Sequence, residues 1–271
     1  MNELRAALEL ATEEELIDLT EILFRKKLNP LDYLQGVDPD LVMGPDKAQW
    51  LNAIEDRFMY LAADGLTVLR GKTHRVSYRY VLIRVCRYLK LHYSPTWTTA
   101  DLEAEIFLAL MQRNWSQIPR LDQERLLKRI MRALAKDPAN PLPLNCSLDS
   151  LRLLLSGGSA IAVSSVARTL ILKQISRQVV LYWGTLEVAG KAVAILPKPL
   201  LAHLSRHGLS LGLTRYGLAR SAFAALGCAV WAGFFVDLGW RSISTNYGRI
   251  IPIIFTLAQI RLTRGTSLAF A

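Results

Sequence analysis

Residues 12–28 read TEEELIDLTEILFRKKL, and this stretch contains both a helix start and a helical apolar repeat. Thr12 and Glu15 have the spacing of a capping box, in which each side chain accepts a hydrogen bond from the other residue's backbone amide. The apolar residues that follow recur at helical spacing: Leu16, Leu19 and Leu23. The stretch therefore predicts an amphipathic α-helix with one buried face.

The same periodicity predicts further helices in the front part of the chain. Their approximate bounds are Asp46–Ala63, Val76–Leu91, Thr98–Trp115 and Leu121–Ala135. Thr98 and Asp101 repeat the capping spacing at the start of one of them. Clusters of proline and glycine separate the first of these helices from the stretch quoted above, which predicts a loop there. We therefore expect an all-α fold.

A proline-rich segment predicts the boundary between two domains. Pro138, Pro141 and Pro143 lie close together, and proline lacks the amide donor that a helix needs. We therefore expect an extended linker over residues 136–150. It separates a helical domain at residues 1–135 from a Gly/Ala-rich, apolar and basic helical region at residues 151–271.

The formal net charge of +10 is unevenly distributed. Through Leu155 the chain has 21 Lys and Arg against 21 Asp and Glu, whereas from Ser156 onward it has 12 against two. A basic surface implies an anionic partner, and the apolar content of the back region favours lipid. No nucleic-acid-binding motif occurs, so we expect no nucleic-acid partner.

Small residues repeat every four positions within an uncharged stretch of 16 residues, 221–236. This ladder consists of Ser221, Ala225, Ala229 and Gly233. In lipid such spacing lets two helices pack closely, whereas in a soluble protein it suits a tightly packed core helix, and both interpretations stay open. Neither this stretch nor residues 250–260 reaches the roughly 20 apolar residues of a spanning helix. We expect an in-plane or partly inserted hairpin.

Basic and aromatic residues flank these apolar stretches, an arrangement typical of a membrane interface. The predicted lipid contacts are Arg206, Arg215, Arg220, Trp231, Trp240, Arg261 and Arg264. The alternative is a basic rim in contact only with solvent. In the front domain, Arg84, Arg87 and Lys90 lie off the apolar stripe of a predicted helix, and we expect them to contact a protein partner.

No pattern indicates catalysis, a cofactor or a metal site. Cys86, Cys146 and Cys228 are widely spaced and form no CxxC, which is typical of free thiols in a reducing compartment. His203 and His207 can share a helix face, but no acidic residue nearby offers a third metal ligand. The first residues lack the features of a secretory signal. We expect a cytoplasmic, non-enzymatic protein without cofactor or metal.

Several short motifs occur in an order that is similar to a known family. They are TEEEL at 12–16, DGLTVLRG at 64–71, Tyr78-Arg79, YLKL at 88–91, TTADLEAE at 98–105, RNW at 113–115 and IIPIIFTLAQIR at 250–261. With them the chain resembles the YaaW-like family of uncharacterised bacterial proteins, distant relatives of the ubiquinol–cytochrome c reductase assembly chaperones. The spacing between Arg70 and Tyr78 departs from the family pattern. The resemblance implies a helical protein-contact domain and no active site.

These observations together predict a membrane-associated adaptor or chaperone-like assembly factor without enzymatic activity. Its expected partners are anionic membrane lipid and an unidentified protein, and its expected location is the cytoplasmic face of the inner membrane, peripheral or partly inserted. The alternative is a membrane-perturbing or pore-forming protein that forms homo-oligomers through its C-terminal region. A soluble enzyme is the third interpretation, and no catalytic pattern in the sequence favours it.

Overall fold

The computed structural model describes residues 3–24, 42–43, 46–63, 77–135, 147–188 and 247–264. Within these ranges the regular structure is helical and no strand occurs, which confirms the all-α class. The α-helices are α1 (Glu3–Glu9), α2 (Glu13–Phe24), α3 (Lys47–Ala62), α4 (Tyr78–Leu89), α5 (Thr99–Trp115), α6 (Arg120–Ala135), α7 (Leu148–Leu155), α8 (Ser165–Val188) and α9 (Tyr247–Arg264). A short 3-10 turn covers Ala160–Ala162.

The two predicted capping boxes are confirmed. At the start of α2, the Thr12 amide donates to Glu15 Oε2 at 2.9 Å, and the Glu15 amide donates to Thr12 Oγ1 at 3.3 Å. At the start of α5, the Thr98 amide donates to Asp101 Oδ2 at 2.9 Å, and the Asp101 amide donates to Thr98 Oγ1 at 3.2 Å. Each bond satisfies an amide that the helix itself leaves without a partner.

Two helices depart from the sequence prediction. Helix α1 was not predicted, since its seven residues contain too few turns to show a periodicity, yet its Leu4 and Leu8 are fully buried. Helix α7 begins inside the predicted linker. The Ser147 side chain accepts a hydrogen bond from the Ser150 amide and starts the helix there. The three linker prolines lie outside the described residues.

The first compact unit combines residues 1–107 with residues 240–271. Helix α9 packs against α1, α2, α3 and α4, and its apolar side chains fill the centre of this unit. The ring of Phe255 stacks on that of Phe107 with centroids 4.9 Å apart. The sequence analysis had assigned α9 to the back domain. Its apolar residues occur on nearly all sides of the helix, so it needs neighbours around it to exclude water.

The second compact unit comprises residues 108–239, so the division falls within α5 rather than in the proline-rich segment. Helix α6 packs against α7 and α8. The Gln112 side-chain amide donates to the carbonyls of Leu154 and Gly158, at 2.6 and 2.7 Å, and so ties α5 to the turn after α7. Gly157 in that turn has a φ of +129°, a conformation that favours glycine.

Helix length and hydropathy bear directly on the predicted hairpin. Among the described helices, none has both the length and the apolar character that a membrane crossing requires. Residues 221–236, the predicted first arm of the hairpin, lie outside the described part of the chain.

Candidate functional site

The arginines at the end of α9 were predicted to contact lipid, and the structure places them in ion pairs within the first unit. The Arg264 guanidinium donates to Glu15 Oε2 at 2.5 Å, to Glu15 Oε1 at 2.9 Å and to the Leu10 carbonyl at 3.0 Å. Arg261 donates to the Glu3 carbonyl and lies 3.5 Å from Glu103 Oε2. Groups of the same unit hold both cations, so these ion pairs fasten α9 within the fold. Contact of Arg261 and Arg264 with lipid stays a prediction.

Arg261 belongs to a buried polar cluster. The Tyr78 hydroxyl donates to Glu103 Oε1 at 2.6 Å, and the Arg261 guanidinium lies 5.9 Å from the centre of the Tyr78 ring. The Glu103 side chain is 5% exposed. Burial raises the pKa of Glu103, and the Arg261 charge partly opposes that rise. Burial, followed by the neighbouring Glu103 carboxylate, raises the pKa of Tyr78.

A buried carboxylate beside a tyrosine suggests acid–base chemistry, but here both carboxylate oxygens are engaged. Tyr78 holds Oε1 of Glu103, and Arg261 lies against Oε2. The cluster links α4, α5 and α9, and its bonds account for the buried charge. The sequence analysis missed this role of Glu103 because the two partners are 25 and 158 positions away along the chain. No local pattern reports contacts of that range.

The predicted protein-contact residues of α4 fall into two environments. Arg84 is half-buried, donates to the Ala62 carbonyl at 3.3 Å and is therefore anchored at the end of α3. Arg87 and Lys90 are exposed. Arg87 Nε donates to the Tyr93 hydroxyl at 2.6 Å, and Lys90 ends α4 in the left-handed region with a φ of 57°. The structure thus leaves two of the three cations accessible.

Helix α6 carries a basic surface that the sequence analysis missed. All five cations of α6 are exposed, and four of them have i, i+3, i+4 and i+7 spacing, so these four share one side of the helix. They are Arg125, Lys128, Arg129 and Arg132. We call them the basic face of α6. Arg125 pairs with Asp122 at 3.1 Å, whereas the other three form no ion pair with any carboxylate of the described residues.

The count of charged residues did not reveal the basic face, because the chain through Leu155 has equal numbers of basic and acidic residues. The acidic residues of α6, Asp122 and Glu124, both lie in its first turns, so the rest of the helix has only positive charges. Plotting charge by position on each predicted helix would have found this surface.

Exposed apolar side chains also concentrate in the second unit. Among residues that the structure describes, five large hydrophobic side chains are exposed: Tyr80, Leu121, Leu148, Leu153 and Leu181. All four leucines belong to the second unit, with Leu121 at 76% and Leu153 at 71% exposure. Leu121 also lies at helical spacing from Arg125, Lys128 and Arg132, so on α6 an exposed apolar side chain and exposed cations share one side of the helix.

The remaining predicted sites lie outside the described residues. They are the lipid contacts Arg206, Arg215, Arg220, Trp231 and Trp240 and the packing ladder Ser221, Ala225, Ala229 and Gly233. In the part of the chain that is described, no three His, Cys, Asp or Glu residues are grouped as a metal site would require. Cys86 is a buried free thiol, and burial followed by the charge of Glu105 raises its pKa to about 12. A thiol with so high a pKa is a poor nucleophile.

Comparisons with protein-family models, curated proteins and solved structures give no match for this chain. The resemblance to the YaaW-like family therefore stays a prediction. Any functional proposal rests on the residues described above.

Proposed function

We propose that this protein is a non-enzymatic adaptor that binds peripherally to an anionic membrane surface and presents its first unit to a protein partner. One observation carries the proposal. Lys128, Arg129 and Arg132 are exposed and form no ion pair with a described carboxylate. Cations left free on a surface attract anionic partners.

The proposal assigns no enzymatic role, and the environments of three reactive side chains support it. Both oxygens of Glu103 are held, both oxygens of Glu15 accept hydrogen bonds from Arg264, and the Cys86 thiol is buried. The bonds of the two carboxylates and the burial of the thiol account for the positions of these groups in the fold. None of these three side chains is both exposed and without a bonding partner.

Binding at the membrane surface, rather than insertion, is favoured by the position of α9. The predicted hairpin uses residues 250–260 as one arm, and the apolar side chains of that segment are buried in the core of the first unit. Release of α9 would expose a row of isoleucines and break the Arg264–Glu15 and Arg261–Glu103 pairs. Basic residues near anionic lipid contribute about 1 kcal/mol each, so three free cations suffice for reversible surface binding.

The surface of α4 is the proposed protein-contact site. Arg87 and Lys90 are exposed there, and Tyr80 is the exposed large aromatic residue of the first unit among those described. Tyrosine and arginine are enriched where protein interfaces gain most of their binding energy. The positive charge of this surface favours a partner with an acidic patch.

Flotation of the full chain with vesicles tests the proposal. The vesicles consist of phosphatidylcholine alone or of phosphatidylcholine mixed with phosphatidylglycerol, each at low and high salt. We expect flotation with the anionic vesicles only and release at high salt, because salt screens charges at an exposed surface. A chain that stays at the bottom with both vesicles contradicts the proposal.

The same vesicles, loaded with a self-quenching dye, separate this proposal from the pore-forming alternative. An adaptor bound at the surface leaves the dye inside, whereas a pore releases it. No described feature favours the pore, since the ladder from Ser221 to Gly233 lies outside the described residues.

A further inference from the structure

We infer that the basic face of α6, together with exposed leucines of α6, α7 and α8, is the surface that docks on anionic lipid headgroups. This inference rests on the proposed membrane association and specifies where on the chain it occurs. It moves the lipid contact from the predicted Arg261 and Arg264, which are engaged within the first unit, to a helix of the second unit.

The exposed side of α6 carries both an apolar side chain and several cations. Leu121, Arg125, Lys128 and Arg132 recur at helical spacing and form one exposed stripe. The stripe is about 16 Å long, at 1.5 Å for each residue of helix. Its N-terminal end is apolar and the rest is cationic.

The acidic residues near the stripe are bonded within the second unit, where Arg152 also pairs with Asp149 at 2.8 Å. Asp122 accepts a hydrogen bond from Arg125 at 3.1 Å and another from the Tyr182 hydroxyl at 3.1 Å. Glu124 accepts two from Arg152, at 2.8 and 3.1 Å. None of these carboxylates forms an ion pair with Lys128, Arg129 or Arg132. The bonded group has three carboxylates against two arginines, so the surface keeps a net positive charge of two when the three cations are added.

Three exposed leucines lie around the same bonded group. Leu121 precedes Asp122, Leu153 follows Arg152, and Leu181 precedes Tyr182, so each is one residue from a member of the group. They are 76%, 71% and 43% exposed. The ion pairs and hydrogen bonds thus hold three helices together at the point where their leucines face solvent.

Aliphatic side chains next to free cations match an anionic membrane better than they match other polyanions. Leucines reach the boundary between headgroups and acyl chains while lysines and arginines stay among the phosphates. Surfaces that bind single-stranded nucleic acid also use lysine and arginine for the phosphates, but they combine them with aromatic side chains on which the bases stack. Tyr182 is the aromatic residue in the described part of this surface, and its hydroxyl donates a hydrogen bond to Asp122.

Vesicle-binding titrations of the full chain and its variants test the inference. The triple variant Lys128→Gln/Arg129→Gln/Arg132→Gln removes the three free charges, and we expect its partition coefficient on anionic vesicles to fall on the order of 100-fold. The double variant Leu121→Ser/Leu153→Ser keeps every charge. We expect it to bind roughly 10-fold more weakly and to be released at lower salt.

Two controls isolate the surface from general effects of charge. The variant Lys128→Arg/Arg129→Lys/Arg132→Lys keeps three positive charges and should bind as the wild type does. Lys47→Gln removes one exposed lysine of the first unit and should have no effect, whereas Lys128→Gln alone should weaken binding several-fold. Because all substituted side chains are exposed, we expect unchanged far-UV circular dichroism.

The outcomes separate this inference from the proposed function. If the wild type does not bind anionic vesicles, the proposed membrane association fails and the inference fails with it. If the wild type binds and the triple variant binds equally well, membrane association stands and the α6 surface is not its site. If the triple variant loses binding to a soluble polyanion such as heparin but keeps its vesicle binding, the face serves a different anion and the inference is overturned.

Discussion

The two units use the same residue types in opposite ways. In the first unit, Arg261 and Arg264 at the end of an apolar helix are held by Glu103 and Glu15. In the second, the cations in the last turns of α6 are exposed and form no such pair with described residues. A basic residue beside an apolar helix is therefore not in itself a sign of lipid contact. What decides its role is whether a carboxylate of the fold lies within reach.

The two units also differ in how far their apolar side chains are buried. In the first unit the apolar side chains of α9 are buried, whereas the second unit exposes four leucines among the residues described. Exposed leucines give up the free energy that burial provides, roughly 1.5–3 kcal/mol for each side chain. Contact with another surface would recover this free energy for the second unit, whereas the apolar residues of α9 between Ile250 and Ile260 are already buried.

The largest effect that this comparison predicts is on the core of the first unit. Phe255→Ala should lower the free energy of unfolding by about 3–5 kcal/mol, because the ring is buried and stacked on Phe107. Leu153→Ala in the second unit should change it by no more than about 0.5 kcal/mol, since that side chain is exposed. Urea unfolding monitored by circular dichroism measures both.

A reversal of this order would break the comparison. A large loss of stability for Leu153→Ala would mean that the side chain is covered in the folded chain. A small loss for Phe255→Ala would mean that α9 does not complete the core of the first unit, and the membrane hairpin would again be available to it.

A smaller effect is expected for the arginines. Arg264→Gln removes the two hydrogen bonds to Glu15, and we expect a loss of about 1–2 kcal/mol for a partly exposed pair. The matched change Arg132→Gln should leave the free energy of unfolding within about 0.5 kcal/mol of the wild type. Urea unfolding of the two variants side by side tests this. Equal losses would show that Arg132 also has a partner in the folded chain.

The smallest effect concerns pH. Burial raises the pKa of Glu103 in the folded unit, so the folded state binds this proton more tightly than the unfolded state does. The resulting stability is fully present below the pKa of the unfolded chain and is lost as pH rises through the folded pKa. Glu103→Gln resembles the protonated form at every pH. Its stability relative to the wild type should therefore increase between mildly acidic and neutral pH.

Unfolding curves of the wild type and Glu103→Gln across this pH range measure the difference directly. Other carboxylates titrate alike in both proteins, so their contributions cancel. A constant difference would mean that Glu103 is ionised over the whole range and that Arg261 outweighs the effect of burial.

Short-range patterns in the sequence made much of the fold predictable. The capping boxes at Thr12 and Thr98 join residues three positions apart, and the apolar repeats that predicted α2 to α6 join residues three or four apart. Interactions of this range are formed within a single helix, so the sequence displays them directly. Helix α1 escaped because seven residues are too few for a repeat.

The candidate sites depended on contacts between residues that are far apart in the sequence. The cations of α4 were found because they lie off an apolar stripe, and two of the three are indeed exposed. The basic face of α6 was missed because its charges were averaged with acids elsewhere in the front half. Its leucines gave no signal, since an apolar residue on a helix is equally compatible with a core position.

By itself, then, the sequence determined helices α2 to α6, the capped starts of α2 and α5 and the all-α class, because each depends on contacts within about one helical turn. Only the tertiary structure decided which helices belong together and which charges remain free. Arg264 and Glu15 are 249 positions apart, and no local pattern distinguishes an arginine with such a partner from one without. The free energy of a charge depends on what surrounds it in space, and that is settled only when distant segments meet.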